Sequence, residues 1–293
     1  FAYNLGGAVS SFDNQGSLTR SGTGTATIDG VFTSTGPINA TGGTLSLTGG
    51  GTMSAPVSLA SGAFLDYSAG TFTLNNGLDA TGLGAVRLQG ATITNATVAD
   101  TARFQNLDLN TGTLNHIGGV VVSGTGAVLN WTSTAAIQGA GTLRVATTAT
   151  MNVTGTGSRT FTNGTILNQG TTVWSGTLTV NTGLGAVWRN AAGATFTLSG
   201  DGLFTDNQGG ATPVFDNLGT FTRNTSTGTA TWSAALNHSG AATITISTGT
   251  LVLNGGALMS APVTVTSPAF LDFGAGTFTL NNGLNVTGTG TAR

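Results

Sequence analysis

Ala69-Gly70-Thr71-Phe72-Thr73-Leu74-Asn75-Asn76-Gly77-Leu78 returns unchanged at residues 275–284. Within it Phe72 and Leu74 alternate with Thr71 and Thr73, the period-two pattern of a short strand with one apolar face. Asn75-Asn76-Gly77 then supplies turn chemistry. The same kind of unit recurs as Gly43-Thr44-Leu45-Ser46-Leu47, Gly176-Thr177-Leu178-Thr179-Val180 and Gly249-Thr250-Leu251-Val252-Leu253. The chain is therefore a succession of short strands, each closed by a glycine- or asparagine-rich turn.

The strands keep a rhythm. Leu65, Phe72, Val86 and Ile93 fall at intervals of seven or fourteen, and Leu107, Leu114, Val121 and Val128 at seven. A heptad period alone would suggest a coiled coil, but glycine or asparagine interrupts almost every unit. Three units make a coil of about 21 residues, which predicts an all-β parallel β-helix, a β-solenoid with three short strands per rung and roughly fourteen rungs. An antiparallel sandwich or barrel uses the same residues, but does not account for a repeat that propagates without an end. On this register Phe72, Leu107, Leu114 and Val121 face the interior, and Thr71 and Thr73 face outward. Corners are expected at Asn14-Gln15-Gly16, Asn76-Gly77, Asn163-Gly164, Asn168-Gln169-Gly170, Asn207-Gln208-Gly209, Asn217-Leu218-Gly219 and Asn282-Gly283. Asparagine and glycine tolerate positive φ there, and stacked asparagines can form amide ladders.

A longer repeat overlies the short one. Met53-Ser54-Ala55-Pro56-Val57 returns at residues 259–263, and Ala63-Phe64-Leu65-Asp66 at 269–272, both at an offset of 206. Phe12-Asp13-Asn14 returns at 215–217, an offset of 203. Residues 12–88 thus match 215–293 with a few residues inserted between the blocks, as loop insertions in a solenoid would be. Residues 1–293 read as a single continuous solenoid segment. Arg293 aligns with Arg87, after which the first copy continues, so the repeat reads as cut at both ends.

Composition narrows the function. The chain of 293 residues has 48 glycines, no cysteine, and 6% charged residues, with a net charge of −2. All eight basic residues are Arg and all ten acidic residues are Asp, and roughly one residue in five is Thr, a poor helix former. The low net charge gives no basis for steering to nucleic acid or to an anionic membrane. No apolar run approaches the ~18 residues of a spanning helix, so membrane insertion is not expected.

The residue types that carry chemistry are scattered. Enzymes built on parallel β-helices gather carboxylates with basic residues on one face for acid–base work or calcium binding. Here the aspartates are dispersed, and the closest pair, Asp201 and Asp206, lies in a glycine-rich turn region. His116 and His238 each follow an asparagine, with no second His or any Cys at ligand spacing. Gly82-Leu83-Gly84 and Gly22-Thr23-Gly24 resemble fragments of phosphate-binding loops without the helix such a loop needs. Trp131, Trp174, Trp188 and Trp232 read as core or corner filling, with stacking on sugars as the alternative. No catalytic, cofactor-binding or metal-binding residue is assigned, no cofactor is expected, and the chain is not expected to be an enzyme.

The units Asn217-Leu218-Gly219-Thr220-Phe221, the Gly-Thr-Leu strands and the scarcity of charge resemble the repeat regions of large bacterial surface proteins. These are filamentous-haemagglutinin-like adhesins, autotransporter passenger domains and giant secreted filament proteins. The resemblance implies an extracellular or cell-surface, elongated, non-catalytic element. Two roles follow: a self-associating structural filament, or an adhesin stalk presenting a surface to glycans or to another cell. Ice binding is a third reading, because Thr71-Phe72-Thr73, Thr177-Leu178-Thr179 and Thr243-Ile244-Thr245 are Thr-x-Thr strands. Their irregular spacing argues against it. A polysaccharide-active β-helix enzyme is the remaining alternative.

Overall fold

A computed structural model describes residues 7–293. The described residues contain strands and no helix, and the strands pair in parallel. The chain is a β-solenoid of about 13 turns, roughly 21 residues each. It divides into two compact units, one ending at Leu143 and one beginning at Arg144.

In the first unit the repeated stretch shows how a turn is made. Thr71–Leu74 forms one strand, Asp79–Thr81 the next, and the eleven residues Ala85–Asn95 a third that bends round a corner. The bend falls at Gly90, where φ is +142° and a Cβ would lie 2.6 Å from the Ser68 carbonyl oxygen. Only glycine fits so close an approach of two turns. Stacking then follows with side chains in register: Phe72 on Ile93, Ile93 on Leu114, and Leu114 on Ile137. A second inward column runs Leu45, Leu65, Val86, Leu107 and Leu129. All of these side chains are buried.

The seven-residue rhythm is therefore two interior columns, each advancing about one turn at a time. It fails on the third face, where the corner before it has a different length. There Ala80, Ala102, Phe104, Val120 and Val122 fill the core. Val121 is buried, but it stands on the opposite parity, aligned with the exposed Arg103. Its burial is as expected, and only its parity differs from the expected register. Val128 slips for a related reason: Leu107 stacks on Leu129, 22 positions on, so the added residue puts Leu129 rather than Val128 inside. Phe72, Leu107 and Leu114 are interior as expected, Thr71 is exposed, and Thr73 is half-buried on the outer parity.

The second unit repeats this plan with longer corners. Neighbouring strands align Thr171 with Thr195, Thr195 with Thr220 and Thr220 with Thr243, which are 24, 25 and 23 positions apart. Trp188 and Phe215 align across 27 positions. Extra residues leave the stack as loops and the strand register survives. The interior here is aromatic. Trp174, Trp188 and Trp232 pack with Phe196, Phe204, Phe215 and Phe221, the ring centroids of Phe215 and Trp232 lying 4.7 Å apart. Trp131, in the first unit, is also buried. None of the four tryptophans is available for a sugar.

The asparagine corners follow the expectation in part: Asn163, Gly77, Gly209 and Gly283 take positive φ. Among the described residues only Asn163 and Leu184 take positive φ without being glycine. At the Asn76 and Asn282 corners Gly77 and Gly283 take the positive φ instead. Asn14, Asn168 and Asn217 are the last residues of strands, and they are buried.

Candidate functional site

Each strand Thr165–Asn168, Val187–Asn190, Val214–Asn217 and Ala235–His238 ends in a polar side chain that turns into the second unit. The apolar residues two positions earlier, Ile166, Trp188, Phe215 and Leu236, anchor those strands in the core. Period two therefore carries the asparagines inward as well. Asn168 Nδ2 donates to Asn190 Oδ1 at 2.9 Å, Asn190 Nδ2 to Asn217 Oδ1 at 2.8 Å, and Asn217 Nδ2 to His238 Nδ1 at 3.1 Å. The same Asn168 and Asn190 amides each donate to a backbone carbonyl, Thr195 O and Thr220 O, at 3.0 Å. Because His238 Nδ1 accepts, Nε2 carries the proton and donates to Pro262 O at 3.0 Å. The imidazole is neutral, and burial holds its pKa below the ordinary value. The expected amide ladder exists, but its members include Asn190 and a histidine that the Asn-Gly pattern does not mark. The pattern apolar-x-Asn, in Ile166-Leu167-Asn168 and Trp188-Arg189-Asn190, is the signal that finds it.

His116, in the first unit, is buried with neither ring nitrogen hydrogen-bonded. Burial pushes its pKa down as well. The two histidines lie in separate units, and among the described residues no three His, Cys, Asp or Glu side chains gather to hold a metal ion.

The aspartates are mostly engaged one at a time. Asp66 holds Arg87 through two bonds of 2.6 and 2.7 Å, with the guanidinium 3.8 Å over the Phe64 ring. Asp272, Arg293 and Phe270 rebuild the same clasp in the second copy. Asp216 pairs with Arg189 at 2.7 Å. Asp100 caps its own loop through the Thr97 hydroxyl and amide and the Asn76 amide, and the Thr97 hydroxyl foremost keeps its carboxyl below the usual carboxylate range. Asp201 does not pair with Asp206. It pairs with the buried Arg223 at 2.6 Å and accepts from Ser226 at 2.6 Å. Burial pushes the Asp201 carboxyl up, and the bonds from Ser226 and Arg223, with the Arg223 charge, outweigh it and hold it low.

Two shallow grooves lie on the first unit. One, of about 390 Å³, is lined by Pro56, Asn76, Gly77, Leu78, Asp79, Thr101 and Arg103. The other, of about 430 Å³, is lined by residues such as Val98, Ile117 and Thr142, none of them titratable. Neither brings two carboxylates together as acid and base. The Gly82-Leu83-Gly84 fragment is a corner whose Leu83 is exposed.

The outer faces are more regular than the grooves. In the second unit Thr150, Thr171, Thr195, Thr220 and Thr243 stack on successive turns. Two positions along, Thr197, Thr222, Thr245, Thr264 and Thr287 stack beside them. The first unit has a column Thr33, Thr52, Thr73 and Thr94, and a neighbouring one of Thr71, Thr92 and Thr113.

No family model matches this chain, and neither does any curated protein or solved structure.

Proposed function

We propose that the chain is a structural segment of an extracellular or cell-surface filament, built by adding turn to turn. The observation that supports this reading is that a turn pairs in parallel with the turns before and after it, with side chains in register. The strand Thr71–Leu74 lies between Gly51–Met53 and residues 92–95, and Phe72, Leu74 and Leu78 are buried. Thr220–Arg223 lies in the same way between Thr195–Leu198 and Thr243–Ile246. A plan in which each unit contacts only its neighbours extends by repetition. The scarcity of charge supports association as well, since little repulsion opposes it.

Electron microscopy of the native material tests this. Thin fibres whose axial repeat is a multiple of about 4.8 Å are the expected outcome. Monodisperse monomers at high concentration would refute it.

A further inference from the structure

We propose that the paired threonine columns of the second unit form an ice-binding surface, a reading independent of how the chain assembles. The sequence spacing argues against ice binding because the Thr-x-Thr strands are irregularly placed. In three dimensions that irregularity disappears. The 24-, 25- and 23-residue steps from Thr171 to Thr243 place their surplus in corners, and the threonines fall into register. Thr177-Leu178-Thr179, one of the strands that breaks the sequence rhythm, is not part of the array.

Three complete Thr-x-Thr strands stack at its centre: Thr195 and Thr197, Thr220 and Thr222, Thr243 and Thr245. The columns continue beyond them on both sides, to Thr150 and Thr171 in one and to Thr264 and Thr287 in the other. Rungs of a parallel sheet stand about 4.8 Å apart, and alternate residues along a strand about 6.6 Å apart. A grid of hydroxyls at those two spacings is close to the oxygen repeats of hexagonal ice along its a and c axes.

Three properties favour ice over a macromolecular partner. The six central threonines stand on the outer parity of their strands, Thr220 and Thr243 exposed and the other four half-buried, and their hydroxyls make no hydrogen bond to any described residue. Thr is β-branched and stiff at χ1, so each methyl and hydroxyl is already fixed and little rotamer freedom is lost on binding. The outward positions of the three central strands carry neither charge nor aromatic ring. The surface has nothing to pair with an ionic partner and nothing to stack on a sugar. The ordered lattice of water is the partner that such a neutral, regular array of methyls and hydroxyls fits.

The experiment is adsorption of the 293-residue protein to a growing polycrystalline ice surface, together with thermal hysteresis in the same solution. The protein is expected to be enriched in the ice fraction and to depress the freezing point below the melting point. Thr222→Lys, at the centre of the grid, is expected to abolish most of both signals while leaving the far-ultraviolet circular dichroism and the melting temperature unchanged. Thr222→Ser keeps the hydroxyl, loses the methyl, and is expected to fall between. Exclusion of the folded wild-type protein from ice would overturn the proposal. So would full ice activity in a folded Thr222→Lys variant. Should Thr222→Lys dissolve lateral assemblies while the wild type shows no ice adsorption, the array is a contact between copies of the chain and the proposal fails.

Discussion

Asn190 shows what a single side chain does in this molecule. Its amide gives one bond to Asn217 Oδ1 and one to Thr220 O, and its oxygen takes one from Asn168. Replacing it by alanine strands one buried and one part-buried acceptor, a buried one costing about 1–3 kcal/mol. Asn190→Ala is therefore expected to destabilise the fold by about 2–4 kcal/mol in urea unfolding, and a loss below about 0.5 kcal/mol would show that the ladder adds little. The histidine at its end makes stability depend on pH. His238 is held neutral by burial, with a folded pKa below its unfolded value of 6.5. The unfolded chain then takes up a proton that the folded one resists. The stabilisation is present above pH 6.5 and is lost as pH falls through the folded pKa. His116, also lowered, adds to the same loss. Asp100 and Asp201, whose carboxyls are lowered from 3.8, add a separate loss in stronger acid. His238→Asn continues the amide ladder without a titrating ring. It is expected to reduce the stability lost between pH 6.5 and 5 in unfolding titrations, and an unchanged profile would place the acid sensitivity elsewhere.

At the scale of a strand, parity decides the outcome of a substitution. Leu114 sits between Ile93 and Ile137 in an interior column. Leu114→Asp buries an unpaired charge and is expected to unfold its turn and the neighbouring ones. Thr73→Asp, on the outer parity between Thr52 and Thr94, is expected to leave the melting curve of the isolated protein nearly unchanged. Equal effects of the two on melting would contradict the register. This parity was legible in the sequence wherever strand alternation was clean, as in Thr71-Phe72-Thr73-Leu74. It was not legible at Val121 and Val128, because corner length sets the phase of the next strand and glycine-rich corners carry no periodicity of their own. The threonine grid was hidden for the same reason. The members of the aspartate clasps at Arg87 and Arg293 were visible as repeated residues, but 21 positions separate Asp66 from Arg87, and only the stacking brings them together.

At the scale of the whole molecule, two compact units are built from turns whose main partners are the turns before and after. The repeated block and the Thr-rich strands announced that architecture without any single motif. The aspartates in the structure are mostly engaged by Arg, Thr, Ser or Asn neighbours, one at a time. Chelation is expected to leave the melting temperature and the fibres unchanged. Fibres that dissolve in chelator would reveal a bound cation and a different kind of assembly.

The direction of the backbone hydrogen bonds has a mechanical consequence. Bonds such as Thr92 N to Gly70 O at 2.9 Å and Thr220 N to Ala194 O at 2.9 Å join one turn to the next. Within each unit they lie along the line of stacking, so a pull that separates the turns strains them lengthwise and not in shear. Few bonds then resist at a time. Under such tension a unit yields coil by coil, each event releasing about 70 Å of chain for 21 residues, and a tether made this way absorbs work in many small steps before it parts.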